Sequence, residues 1–356
     1  MRRKTVYFPI VVIIIGLILL VSALSRTNFN VSRLAAAECE MKKQVVSEPF
    51  DRIIADTADL NVALTLAPDG VCEVEYPEGE AVRVSVQTKD GALIVSQEEF
   101  SRFPLHILPA QACFESVNIR LSARAYSSLA VSTASGDVSV SDDLSFQSAR
   151  VCTTSGCVDF RADAEETSLS ATSGRVSACG GTIGRTAAET SSGDIRLENV
   201  RASSIRAECS SGRAYVLSSA CEGDLEISAS SGNIQMESAE IGGALTLEST
   251  SGEIELQRVQ SKTLDFSSTS GSVRARDTCA GDSLHGKTTS GSVSLTNCDA
   301  KTVSINCTSG SVHAEMATPK RVFWKSTSGS VSVPEDADGE RMDVSTTSGN
   351  IRVTFR

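Results

Sequence analysis

Thr289-Ser290-Gly291-Ser292-Val293-Ser294-Leu295, answered nineteen residues later by Thr308-Ser309-Gly310-Ser311-Val312-His313-Ala314, is the stretch that decides the fold. Its Ser-Gly pair recurs twelve times, with glycines at Gly136, Gly156, Gly174, Gly193, Gly212, Gly232, Gly252, Gly271, Gly291, Gly310, Gly329 and Gly349, always 18 to 20 residues apart. So strict a period marks a solenoid, each repeat being one turn stacked on its neighbours. Two and four residues after the glycine the chain is apolar, as in Ile195 and Leu197 or Val293 and Leu295. Seven and five residues before it the theme returns, as in Leu129 and Val131, Leu225 and Ile227, or Val322 and Trp324. Charged and hydroxylated residues such as Arg196, Glu226, Glu255 and Lys287 stand between. A period of two is a strand with one buried and one wet face.

Each coil thus reads as a strand, a Thr-Ser-Gly turn, a second strand and a variable return loop. Glycine is expected at the turn because it takes positive φ without a Cβ clash. The predicted fold is all-β: a single-stranded parallel β-helix of about twelve coils, right-handed by the crossover preference and roughly 55 Å long at about 4.8 Å per coil. Three residues before the glycine a small inward slot holds Thr133, Thr153, Thr190, Cys209 and Cys307, the cysteines acting there as small hydrophobes.

Ahead of the repeats, Val6 to Leu24 is apolar and uncharged, and Arg2, Arg3 and Lys4 precede it. Nineteen helical residues span about 28 Å, close to a bilayer core. Positive charge before the span keeps the N-terminus in the cytosol and exports the rest. The expectation is a single-pass membrane anchor with an extracytoplasmic C-terminal domain. A signal peptide cleaved near Val21-Ser22-Ala23 is the alternative. Residues 1–25 then form tail and anchor, and 26–48 a polar stalk with a short helix through Leu34 to Lys43. Residues 49–125 form a β cap or degenerate coils, and 126–356 the solenoid. Strands are expected at Arg52–Asp56, Leu60–Leu66, Val71–Tyr76, Val82–Gln87 and Ala92–Ser96. Turns are expected at Pro68-Asp69-Gly70, Pro77-Glu78-Gly79 and Lys89-Asp90-Gly91. At the far end, Ile351–Phe355 is expected to leave an uncapped edge through which copies self-associate.

Phe50-Asp51-Arg52-Ile53-Ile54-Ala55, Lys89-Asp90-Gly91-Ala92-Leu93-Ile94-Val95 and the recurring Thr-Ser-Gly-x-Val/Ile together resemble a bacterial family of adhesin-like β-strand repeats, whose fold is called a toast-rack domain. The resemblance runs from about Phe50 to Arg356. It implies a solenoid held at the envelope, commonly membrane-anchored in Gram-positive bacteria and in some cases encoded beside envelope-stress sensing systems. It carries no catalytic residues, and its adhesin label itself derives from shape.

Chemistry-bearing groups are sparse. With 33 basic and 44 acidic residues the net charge is −11, which repels nucleic acid rather than holding it. The three histidines, His106, His285 and His313, form no cluster, and coils differing by two residues leave no room for a catalytic loop. The chain therefore reads as no enzyme, with a polysaccharide-acting β-helix as the remote alternative. Asp137, Asp194, Asn233 and Glu253 follow turn glycines, but the Gly-Gly-x-Gly-x-Asp calcium pattern is absent, so neither metal nor cofactor is expected. Thr154, Thr172, Thr250, Thr269, Thr289, Thr308, Thr327 and Thr347 form an outward hydroxyl ladder two residues before glycine. It either engages glycans or caps turn backbone. Of the eleven cysteines, Cys152–Cys157 and Cys279–Cys298 are the candidate disulfides. Two functions stay open: an envelope interaction module with a protein or glycan partner, or an accessory of envelope-stress signalling acting through a membrane partner.

Overall fold

The computed structural model describes residues 39–79, 82–98, 116–334 and 338–356; Val6–Leu24 and His106 lie outside them. Thirty-one strands join in one continuous sheet wound into a parallel β-solenoid, with no helix among the described residues. Twelve corner glycines bound about eleven turns. Equivalent residues stack in register, Ile254 on Val273, Val273 on Val293 and Val293 on Val312, each at most 1% exposed. Burying one such side chain contributes about 1.5–3 kcal/mol, and each coil needs its neighbours to achieve it.

The corner glycines are there for a different reason than the sequence suggests. Only Gly329 among them has positive φ, at 131°. At every corner a Cβ would instead collide with a backbone carbonyl of the adjacent coil, which for eleven of them is that of the next glycine in the stack. Positive φ occurs six residues later, at a second corner: Gly180, Asn199, Ser218, Ser238, Arg258, Asp277 and Asn297 all adopt it. The first corner selects glycine for close approach, and the second tolerates any residue that accepts the left-handed region.

At the N-terminal end the elements are β1 (Cys39–Val45), β2 (Arg52–Thr57), β3 (Asn61–Leu66), β4 (Glu73–Gly79), β5 (Val84–Lys89), β6 (Ala92–Gln97), β7 (Ser116–Leu121), β8 (Ala125–Thr133) and β9 (Val138–Val140). The expected Leu34–Lys43 helix is corrected: from Cys39 the chain is a strand lying antiparallel on β4, fastened by Lys42–Glu78 at 2.7 Å and Lys43–Glu73 at 2.5 Å. Pro77-Glu78-Gly79 is the end of β4, held by that pairing, rather than a turn. Coil order also departs from chain order. β2 lies between β6 and β8, and β3 between β7 and β9. Antiparallel β5 covers β6, and β4 covers β7. Beneath this cap Tyr126 is fully buried between Phe50 and Phe146, with centroids 5.9 and 6.0 Å away.

The C-terminal end repeats the inversion. Glu340–Ser348 pairs with Val293–Cys307 on one side and Lys320–Ser328 on the other. Ile351–Phe355 lies likewise between Val312–Met316 and Val331–Ser332. Ile351–Phe355 is therefore not the open edge that the chain order suggests; the coil of Gly329 is outermost. Lys320 pins this arrangement. Its fully buried ammonium donates to the Ala300 carbonyl at 2.7 Å, to Glu340 at 2.8 Å and to Asp299 at 2.7 Å, and so spans the inserted coil. Burial opposes its charge, but the two carboxylates hold the ammonium above the ordinary lysine range.

Candidate interaction surface

With its apolar positions stacked inward, the rod presents two kinds of outward surface. The first is the hydroxyl corner. All eight ladder threonines are exposed, and Thr250, Thr269, Thr289, Thr308, Thr347 and Thr327 follow one another on six successive coils. Their side chains do not cap the turn. That task falls to the slot residue one position earlier: Gly136 N–H donates to Thr133 Oγ1 and Gly156 N–H to Thr153 Oγ1, each at 3.0 Å. Ser249 and Thr288 instead donate to the carbonyls of Gly252 and Gly291 at 2.9 and 2.8 Å. Among the described residues the ladder hydroxyls make no hydrogen bond, which leaves them to solvent or ligand. Beside the corner runs a groove of about 550 Å³ lined by Cys152, Ser170, Thr172, Glu189, Glu208 and further hydroxyls.

A second groove of about 440 Å³ holds Arg175, Arg196, Arg213 and Tyr215. The Arg213 guanidinium lies 5.3 Å from the Tyr215 ring centroid and 3.9 Å from Asp194, while Arg196 pairs with Glu198 at 2.6 Å. Asp194 and Glu237 line the same groove, so its guanidinium groups stand among carboxylates beside one aromatic face. These residues escape a reading coil by coil because they come from separate repeats. Their shared offsets, one and three residues after glycine, were the available signal.

The post-glycine Asp and Asn side chains brace neighbouring coils. Asp137, Asp194 and Asn233 each accept a backbone N–H from the next coil, from Cys157, Arg213 and Glu253 at 2.7, 2.8 and 2.9 Å. Among the described residues no group of three or more acids, cysteines or histidines could hold a metal ion.

The proposed disulfides are not formed. Cys152 turns its thiol toward the Val131 carbonyl at 3.5 Å, and Cys157 lies exposed beyond the corner. Cys279 stacks against Asp299, so Cys298 falls one residue off and on the opposite face, the first exposed and the second buried. Burial pushes the Cys209 and Cys298 thiols up to about 11, so both stay protonated and unreactive near neutrality.

A family model described as toastrack DUF4097 matches residues 50–276 and again 240–356. Among solved structures, the chain resembles a proposed adhesin from Bacteroides fragilis at 13% identity and TM-score 0.28, covering 90% of this chain and 98% of that one. It also resembles a proposed cell adhesion protein from Clostridium sporogenes at 9% identity and TM-score 0.20, covering 90% and 100%. A third, a proposed lipid-binding protein from Parabacteroides distasonis, has 12% identity and TM-score 0.33, covering 89% and 98%. Likenesses this distant carry no argument about what the chain binds. None of the curated proteins matches it.

Proposed function

Because the chain belongs to the toastrack DUF4097 family, we propose that it is a non-enzymatic module of the bacterial cell envelope, anchored through Val6–Leu24 and presenting its rod outside the membrane to a glycan or protein. The observation that carries this reading is the row of exposed, unengaged hydroxyls on six successive coils, with a polar groove on the coils before it, at Thr154 and Thr172. A surface regular over that length suits a repeating polymer better than a compact substrate.

Binding of the full-length chain to purified envelope polysaccharides tests the proposal. Retention on at least one polymer is expected, reduced severalfold when Thr250, Thr269, Thr289 and Thr308 are all replaced by valine. No retention, combined with crosslinking in the native cells to an integral membrane sensor, favours the signalling-accessory reading. Release of sugar from the polymer establishes an enzyme instead.

A further inference from the structure

The coil of Gly329 breaks the pattern that every other coil obeys. At its inward positions Val322, Val331 and Val333 are only half-buried and Trp324 is 53% exposed, with Phe323 beside it at 48%. Among the described residues its strands pair on one side alone, Lys320–Ser328 with Glu340–Ser348 and Val331–Ser332 with Ile351–Phe355. Among the described residues the rod therefore ends on an open backbone ladder over an uncovered apolar layer, the two features that accept an added strand.

Charge says what that strand should carry. On the outward face Arg321 stacks on Arg341, Phe323 on Asp343 and Lys325 on Ser345. Asp343 is already taken by Arg341, at 2.6 and 2.8 Å, and that guanidinium also lies 4.9 Å from the Phe323 centroid. Arg321 reaches only the fully exposed Asp338, at 3.6 Å, and Lys325 has no acid partner among the described residues. Among the described residues, Lys325 and, through its single long pair, Arg321 are thus the cations this edge can offer to an acid.

We propose that Lys320–Ser328 receives a further β-strand from a partner protein, an extended segment alternating apolar and acidic residues. Its backbone would complete the open ladder, its apolar side chains would cover Val322 and Trp324, and its carboxylates would face Arg321 and Lys325. A second copy of this chain fits less well, because its own Lys320–Ser328 carries no carboxylate to meet Arg321 and Lys325. The proposal rests on the interaction-module reading only in supposing a macromolecular partner; failure of polysaccharide binding leaves it standing.

Trp324 is the chain's single tryptophan, so its fluorescence reports on this edge alone. The full-length chain is titrated with a synthetic peptide of alternating valine and glutamate, and separately with its valine–lysine counterpart. A saturable blue shift is expected with the glutamate peptide, about tenfold weaker with the lysine peptide, and reversed in preference by Lys325→Glu with Arg321→Glu. Both substituted side chains are exposed, so these variants keep their fold. The proposal is overturned by the absence of a shift with the glutamate peptide. It is equally overturned by a shift that grows with protein concentration alone, which indicates a second copy, or by one produced only by anionic phosphatidylglycerol vesicles.

Discussion

At the N-terminal end of the rod the first coil in the chain, Arg52–Leu66, lies between Ala92–Leu121 and the coil of Gly136. At the C-terminal end the last coil, Glu340–Phe355, lies between the coils of Gly310 and Gly329. At the C-terminal end this holds the last strands between two hydrogen-bonded neighbours, where they cannot fray as free termini do, whereas at the N-terminal end β1 precedes the inserted coil and lies on β4. What differs is the treatment of the outermost layer. Antiparallel strands cover it at the N-terminal end, whereas the described residues leave it bare at the other. Inserting the end coil between neighbours and capping the core are separate problems, and only the first is solved at both ends.

An all-or-none crosslink separates this inversion from simple stacking in chain order. Asn306 and Ser345 are register partners, with Ser345 Oγ donating to Asn306 Oδ1 at 2.6 Å. In chain order, Lys325 would occupy the position beside Asn306. Replacing Asn306 and Ser345 together by cysteine is expected to give a disulfide on mild oxidation, located by peptide mass, whereas Asn306 with Lys325 gives none. The reverse result would mean sequential coils and return Ile351–Phe355 to the tip.

Next in size is the effect of a methyl group at the inserted corner. Gly349→Ala drives a Cβ into the Gly310 carbonyl, which belongs to a ladder and cannot yield. A loss of about 4 kcal/mol or more is expected, read as hydrogen exchange confined to the last three coils because a solenoid's coils lean only on their neighbours. Gly70→Ala in the N-terminal cap supplies the benchmark. Gly70 has φ of 72° and no neighbour within 4 Å, so strain alone costs about 1–2 kcal/mol. Equal losses at the two sites would remove close approach as the reason for the corner glycines.

How far the sequence leads differs between the ends. Alternation around Ser-Gly locates the inward residues of every coil, because a period of two leaves no choice of face once the core is fixed. It is silent on which coil touches which: Val322 and Trp324 carry the same inward pattern as Leu225 and Ile227, yet sit in the outer layer. Order depends on return loops and on Lys320, whose partners Asp299 and Glu340 are remote in sequence from one another. Cap strands beside the Pro68-Asp69-Gly70 and Lys89-Asp90-Gly91 turns were legible, but β4 runs on through the expected Pro77-Glu78-Gly79 turn, and β1 was missed because polar Cys39–Val45 becomes a strand only by pairing with β4. For the candidate surface, the Thr ladder was visible as a repeated offset, while the Arg175–Arg213–Tyr215 groove needed neighbouring coils to be superposed.

Inward positions in the two outer layers give a third test. Leu93 in β6 stands in register with Ile53 and Leu129 and is 1% exposed, whereas the corresponding layer at the other end carries Val322 and the 53% exposed Trp324. Leu93→Ala is expected to cost about 3 kcal/mol, typical of a cavity in a closed core. Trp324→Ala is expected to cost less than about 1 kcal/mol despite removing a far larger side chain. Denaturant melting of both variants checks the pair. A larger loss from Trp324→Ala would show that the C-terminal layer is covered in solution.

The smallest effect is a difference in pH response, local to each end. Lys43 and Arg120 hold the Glu73 carboxyl below its usual range against the cost of its burial. A depressed carboxylate contributes stability above its unfolded value, and that contribution is lost as pH falls through the folded one. Strand β1 should therefore loosen from β4 in acid, below the ordinary glutamate range. For Lys320 the sign is opposite: its raised value gives a contribution present below the unfolded lysine value and lost as pH rises through the folded one. Hydrogen exchange of the Cys39–Val45 amides, corrected for intrinsic rates, is expected to accelerate below about pH 4. Trp324 fluorescence is expected to change only on the alkaline side of about pH 10. Glu73→Gln should bring the acid behaviour of β1 to neutral pH and leave Trp324 unmoved. If that variant keeps β1 protected, backbone pairing with β4 rather than the Lys43–Glu73–Arg120 cluster holds the cap, and the two ends differ in coverage alone.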